Sequence, residues 1–187
     1  MSERRKESII NKVRIGGGEL RSRVITFPDA DGLRPTPDRV RETLFNWLGQ
    51  TLYGRRCLDL FAGSGALGFE AASRGAEHVL MLEKSLPVFR ALQNNSDKLA
   101  CANVSLRHQD GLEFVRRDTA CYDVIFLDPP FASDFLPRLL QVLPPRLTAS
   151  GVVYVESGGA IDVPLPWQVI KSGKAGQVWY QLIGLNT

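Results

Sequence analysis

Cysteine and histidine are scarce in this 187-residue chain: Cys57, Cys101 and Cys121 stand far apart, and His78 and His108 are the only imidazoles. No cysteine pair has metal-ligand spacing and the number is odd, so neither a structural zinc site nor a disulfide framework is expected. The three thiols read as small apolar residues in a reducing compartment. Long hydrophobic runs are missing as well. No stretch approaches the length of a membrane span, and residues 1–12 lack the apolar centre of a signal peptide. A cytoplasmic protein without a membrane part is the expectation. The sequence also lacks a G-x-S-x-G nucleophile elbow, a Walker lysine motif, internal repeats and low-complexity segments. No metal site is expected.

What is present suits a globular fold. Hydrophobic residues make up 44% of the chain and charged residues 23%, and the length fits one domain with a small appendage. The net charge of +3 is unevenly spread. Residues 1–56 carry a net +5 and residues 57–187 a net −2. A basic excess confined to one end suits contact with a polyanion there, although a solvated tail would look the same.

The pattern changes character along the chain. Residues 13–26 read as a β-hairpin around Gly16-Gly17-Gly18, and residues 27–37 as a loop rich in Pro, Asp and Gly. Thr36 reads as a helix cap, with Pro37 in the first turn, where its missing N–H does no harm. Val40, Leu44, Phe45, Trp47 and Leu48 then recur at helical spacing up to Gly49. From residue 57 strands and helices alternate. Strands are expected at 57–62, 78–82, 104–107, 122–127 and 151–156, and helices at 66–74, 86–99, 112–116 and 135–143. Two last strands, near 169–170 and 178–182, have only the turn 171–176 between them. Such alternation predicts an α/β fold with a mostly parallel sheet, right-handed crossovers and helices on both faces. The last two strands should form an antiparallel edge hairpin. The organisation expected is a basic tail and β-hairpin extension over 1–36 and one domain over 37–187.

The strongest chemical signal is Asp59-Leu-Phe-Ala-Gly63-Ser-Gly65-Ala-Leu-Gly68, a G-x-G-x-x-G between a strand and a helix. Gly63 and Gly65 permit a tight turn and close approach of a ligand, and Gly68 permits close helix–strand packing. Alone the motif serves a dinucleotide enzyme as well as a methyltransferase. Two neighbours discriminate. Glu83 ends the second strand of the series, where a ribose would lie. Asp59 stands just before the turn, where a carboxylate suits an ammonium group and repels a pyrophosphate. Asp110, after the third strand, could reach an adenine amino group and cap a helix as well.

The second signal is Asp128-Pro129-Pro130-Phe131 at the carboxyl end of the fourth strand, the end at which open α/β sheets bind ligands. Prolines stiffen the turn and remove two N–H donors, so the loop presents acceptors. An exocyclic NH₂ offers two donors, and holding both aims its lone pair at an electrophile. Phe131 could stack on a base. His108 and the three tryptophans, Trp47, Trp167 and Trp179, read as packing or surface residues.

Taken together the motifs resemble class I amino-methyltransferases, and more closely the bacterial 16S ribosomal RNA guanine-N2 methyltransferases. The resemblance runs through nearly the whole chain: Arg14-Ile15-Gly16-Gly17, the distinctive stretch from Arg34-Pro-Thr-Pro-Asp-Arg39-Val-Arg41 to Leu48, Asp59 to Gly68, and Asp128 to Phe131. It departs at Leu20-Arg21-Ser22-Arg23, where the family usually has Trp-Arg-Gly-Arg, so a stacking tryptophan is lost and both arginines stay. The resemblance implies a Rossmann-like seven-stranded sheet with an N-terminal hairpin extension. It implies S-adenosylmethionine as cofactor, held by Asp59, Phe61, Gly63, Gly65, Gly68, Glu83 and Asp110. The acceptor it implies is a guanine of 16S RNA in the small ribosomal subunit, handled by Asp128, Pro129, Pro130 and Phe131. Arg14, Arg21, Arg23, Arg34, Arg39 and Arg41 would hold the RNA backbone. A monomer is expected.

Three rivals use the same residues differently. DNA adenine and protein glutamine methyltransferases can carry a similar acidic proline loop on this sheet, but the 34–48 stretch argues against them. A nicotinamide-dependent oxidoreductase would not want Asp59 facing phosphates. A non-catalytic RNA-binding module would not need an intact Asp128 motif and glycine turn.

Overall fold

A computed structural model describes residues 10–129 and 135–186. The chain opens on an antiparallel hairpin, β1 (Ile10–Arg14) and β2 (Val24–Pro28), followed by α1 (Asp38–Trp47). Next come β3 (Arg56–Asp59), α2 (Ala66–Ser73), β4 (His78–Glu83), α3 (Leu86–Leu99), β5 (Val104–His108) and α4 (Gly111–Arg117). The chain continues with β6 (Tyr122–Leu127), α5 (Phe135–Val142), β7 (Leu147–Ser157), β8 (Trp167–Ala175) and β9 (Val178–Leu185). The main sheet has seven strands in the order β5-β4-β3-β6-β7-β9-β8. The first five are parallel, and β9 runs antiparallel to both β7 and β8. The α/β alternation and the edge hairpin expected from the sequence are both present. Several boundaries move: β3 stops at Asp59 instead of residue 62, β7 begins at Leu147 instead of residue 151, and residues 171–175, expected in the turn, pair with β9 down to Ala175↔Val178. The turn shrinks to Gly176 and Gln177, with Gly176 at φ +59, as a two-residue hairpin loop demands.

The strands alternate between two cores with a period of two residues. Cys57, Val79, Met81, Val124, Phe126 and Tyr154 face the layer that includes α1, α2 and the hairpin. Leu58, Leu80, Leu82, Ile125, Leu127, Val153 and Val155 face the layer of α4 and α5. Helix α2 is buried along its whole length, since the sheet covers one side and the hairpin the other.

Docking of the hairpin explains Gly16-Gly17-Gly18. The Gly16 N–H donates to Glu70 Oε2 (2.8 Å), and the Glu19 N–H donates to the Ser73 carbonyl (2.8 Å). Gly18 has φ +78, and a Cβ there would lie 1.9 Å from the Ser73 carbonyl oxygen. The glycines therefore let the hairpin backbone touch the end of α2. On the other side the buried Asn95 of α3 bonds the Thr26 N–H (3.1 Å) and carbonyl (2.8 Å), standing in for a missing strand partner.

Thr36 departs from its expected role. Pro37 takes the N-cap position of α1 with no side-chain cap. The Thr36 hydroxyl donates instead to Glu156 Oε1 (2.6 Å), across 120 residues of sequence.

Candidate active site

The strand order reverses between β3 and β6, since β4 and β5 build outward from one and β7 from the other. A crevice opens at such a switch point, beyond the carboxyl ends of the strands. Here it is a cleft of about 670 Å³. Four adjacent strands end in it with a carboxylate each: Glu83 on β4, Asp59 on β3, Asp128 after β6 and Glu156 on β7. Registers Asp59↔Met81, Asp59↔Phe126 and Leu127↔Val155 put Asp128 level with Glu156, and Asp59 two residues deeper than Glu83 and Asp128 on their strands. All four share the parity of Met81, Phe126 and Tyr154, so the pleat turns them toward one face.

The glycine turn forms one half of the cleft. Gly63 (φ +51) and Gly65 (φ +82) adopt left-handed backbone, and Gly65 caps α2. A Cβ on Gly68 would lie 2.1 Å from Met81 Sδ, so α2 approaches β4 only because residue 68 is glycine. Glu83 ties the turn down: its Oε2 accepts from the Gly63 N–H (3.1 Å) and its Oε1 from the Ser85 N–H (2.7 Å). Asp110 Oδ1 accepts from Leu112 (2.9 Å) and Glu113 (3.1 Å), so it caps α4 while lining the cleft. Phe61 lines the same half, its ring 6.0 Å from that of Phe135.

Asp59 is buried at the floor. Burial pushes its carboxyl up to about 7, against backbone N–H groups of Phe61 and Gly68 that draw it down. Such a group is stabilised in its charged form by a cation arriving beside it.

Asp128 and Pro129 line the junction of the two halves. Loss of water raises the Asp128 carboxyl well above its ordinary value, and Glu156 and Asp59 raise it further. Pro130 and Phe131, the rest of the expected catalytic loop, lie outside the described residues. The sequence reading missed Glu156. It is 3% exposed, and Oε1 accepts from Thr36 and from the Tyr154 hydroxyl (2.8 Å). Burial raises its carboxyl too, and those two hydroxyls hold it back. The available signal was an acid ending an apolar strand of the series, as Asp59, Glu83 and Asp128 do.

The six arginines divide. Arg14, Arg21, Arg23, Arg34 and Arg39 are exposed, and Arg34 lines the cleft. Arg23 donates to the Lys98 carbonyl (3.0 Å). Arg41, expected on the RNA backbone, is buried instead. Its guanidinium donates to the carbonyls of Thr36 (2.7 Å) and Arg14 (2.8 Å) and pairs with Asp38 (2.8 Å). It braces the hairpin against the loop that carries Thr36. His108 is exposed and bonds the Lys84 carbonyl, and the buried Trp167 donates to the Leu140 carbonyl (2.8 Å).

S-adenosylmethionine fits the glycine half. The buried Asp59 carboxyl would suit its ammonium, Glu83 at the end of β4 would suit its ribose hydroxyls, and the left-handed backbone of Gly63 and Gly65 would permit close approach. The seven-stranded order β5-β4-β3-β6-β7-β9-β8, with β9 antiparallel at the edge, is the architecture of the class I methyltransferases. The conserved hypothetical protein 95 family matches residues 13–184. The chain is 39% identical over 176 residues to ribosomal RNA small subunit methyltransferase D of Escherichia coli, covering 91% of this chain and 89% of that one. Its counterpart from Haemophilus influenzae is 38% identical over 179 residues, covering 91% and 93%. The solved structure of the Escherichia coli protein yhhF superposes with a TM-score of 0.84 at 36% identity, covering 92% of this chain and 97% of that one. The chain belongs to the ribosomal RNA small subunit methyltransferase D family.

Proposed function

We propose that this chain methylates the exocyclic N2 of a guanine in 16S ribosomal RNA, within the small subunit, as a cytoplasmic monomer using S-adenosylmethionine. The observation that carries the reading is Asp128 at the middle of the cleft, between a half suited to the cofactor and a half lined by Thr36 and Glu156. When bound, the cofactor supplies a methyl group on a positively charged sulfur, an electrophile. The chain's own residues prepare the nucleophile.

Guanine N2 is a weak nucleophile, since its lone pair is delocalised into the ring. The base leaves its stack to reach the cleft. Asp128 and the Pro129 carbonyl accept the two amino hydrogens and favour a more tetrahedral nitrogen with its lone pair directed at the methyl. Asp128 also stabilises the positive charge that develops on N2, and it or water takes the proton released. Pro130 and Phe131 belong to this proposal on sequence grounds, Phe131 as a stacking platform. The exposed Arg14, Arg21, Arg23, Arg34 and Arg39 suit the RNA backbone.

The test is methyl transfer from labelled S-adenosylmethionine to small subunits from a methylation-deficient strain, to naked 16S RNA and to duplex DNA, with the nucleosides identified by mass spectrometry. N2-methylguanosine from the subunits is the expected product, and the naked RNA shows whether assembly is required. Label in DNA adenine would overturn the substrate. Absence of cofactor binding would favour a non-catalytic binding module.

A further inference from the structure

We infer that Glu156 is the residue that selects guanine, its Oε2 accepting the N1–H of the target base beside the amino group held by Asp128. The inference rests on the guanine-N2 reading above. Its ground is the placement of the two acids. Register Leu127↔Val155 makes Asp128 and Glu156 neighbours on adjacent parallel strands, about 4.8 Å apart along the sheet. Both line the cleft, on the side away from Gly63 and Glu83, where Gly158 and Val178 complete the wall.

Glu156 is held in a defined orientation. Thr36 and Tyr154 both donate to the same oxygen, Oε1. Oε2 has no hydrogen-bond partner among the described residues, in a side chain only 3% exposed. An acceptor oxygen with no partner among the described residues, on a side chain that lines the cleft, can take a donor from the ligand. Burial raises the Glu156 carboxyl, and the two hydroxyls work against that rise by favouring the charged form.

Guanine presents three donors in a row on one edge, N1–H and the two hydrogens of N2. The cleft lining offers acceptors to match: the carboxylates of Glu156 and Asp128 on neighbouring strand ends, and the carbonyl of Pro129 next to Asp128 in the chain. Adenine has a lone pair at N1 and would set it against a carboxylate. The arrangement therefore rejects the base that a related amino-methyltransferase would accept, by leaving a buried acceptor facing another acceptor.

A glutamine at 156 inverts this edge. With the amide oxygen in the Oε1 position the Thr36 and Tyr154 hydroxyls keep donating as they do in the wild type, and the NH₂ then takes the place of Oε2 and faces the base as a donor. The test compares two acceptors in reconstituted small subunits: 16S RNA with guanosine, or with 2-aminopurine riboside, at the nucleotide that the wild-type enzyme methylates. 2-Aminopurine keeps the N2 amino group but has a lone pair at N1. Wild-type enzyme is expected to prefer guanine by about 10- to 100-fold in kcat/KM, the worth of one hydrogen bond to a charged group. Glu156→Gln is expected to abolish or reverse that preference while S-adenosylmethionine affinity stays unchanged. A purely structural role would slow both acceptors alike. Equal use of the two bases by the wild-type enzyme overturns the inference whether or not the variant folds, and so does an unchanged preference in Glu156→Gln. Failure of the wild-type enzyme to form N2-methylguanosine at all is a different result, which removes the underlying reading itself.

Discussion

Asp59 holds a proton at a pH where an ordinary aspartate has lost it. Its carboxyl moves from 3.8 to about 7 on burial in the fold. Between those values the folded chain binds the proton more tightly than the unfolded chain, so this group's contribution to stability falls as pH rises through the window. An ammonium group beside the carboxylate reverses the balance. S-adenosylmethionine affinity is therefore expected to tighten as pH rises toward 7, by up to about tenfold per unit, and then to level off. Calorimetric titration across that range measures it, and a flat affinity would detach Asp59 from the cofactor. In the proposed reaction Asp128 acts on the acceptor base and not on the cofactor. Asp128→Asn keeps the shape and removes the charge, so methyl transfer is expected to fall about 100- to 1000-fold, on the scale of losing one preorganised transition-state contact. Cofactor binding should change little. Single-turnover kinetics beside equilibrium binding separates the two effects, and undiminished transfer would exclude Asp128 from the reaction.

At the scale of elements, α4 owes its position to one glycine. A Cβ on Gly111 would lie 2.4 Å from the Leu60 carbonyl oxygen, just beyond the end of β3. Gly111→Ala must push α4 away from the sheet, and Asp110, which caps that helix, moves with it. A lower melting temperature is expected, from overpacking of about 1–3 kcal/mol, together with weaker cofactor binding. Unchanged values for both would show that the contact yields freely. The sequence made much of this level legible. Leu86–Leu99 is a helix at its expected bounds, and Asp59, Glu83, Asp110 and Asp128 were visible because each stands where an apolar strand gives way to a turn. What stayed hidden depends on distant partners. Glu156 gains meaning only once β7 is known to lie beside β6. Thr36 looked like a cap because its local pattern, Pro-Thr-Pro before a helix, says nothing of a carboxylate 120 residues away. The glycine triplet looked like a turn because α2 is invisible from within the hairpin.

The whole molecule divides its N-terminal positive charge between two tasks that composition cannot separate. The +5 over residues 1–56 suited contact with a polyanion, yet Arg41 is buried and ties its own helix α1 to the end of β1 through Arg14 and to the cleft wall through Thr36. Since Thr36 in turn holds Glu156, the hairpin is mechanically joined to the wall of the cleft that carries Glu156. Arg34 and Arg39 make no such side-chain bonds among the described residues and stay exposed. The two kinds of arginine should part under measurement. Arg41→Ala strands two carbonyls and is expected to lower the unfolding free energy by about 3 kcal/mol, seen by chemical denaturation, with the salt dependence of RNA binding unchanged in the protein that remains folded. The double variant Arg34→Ala with Arg39→Ala is expected to keep its stability within about 0.5 kcal/mol. Its plot of log affinity against log salt should flatten by about 1–2 units, the loss of one or two phosphate contacts. If Arg41→Ala flattened the salt slope and left stability untouched, its guanidinium would have to leave the interior to meet RNA, and the hairpin would be a movable arm instead of a fixed wall of the cleft.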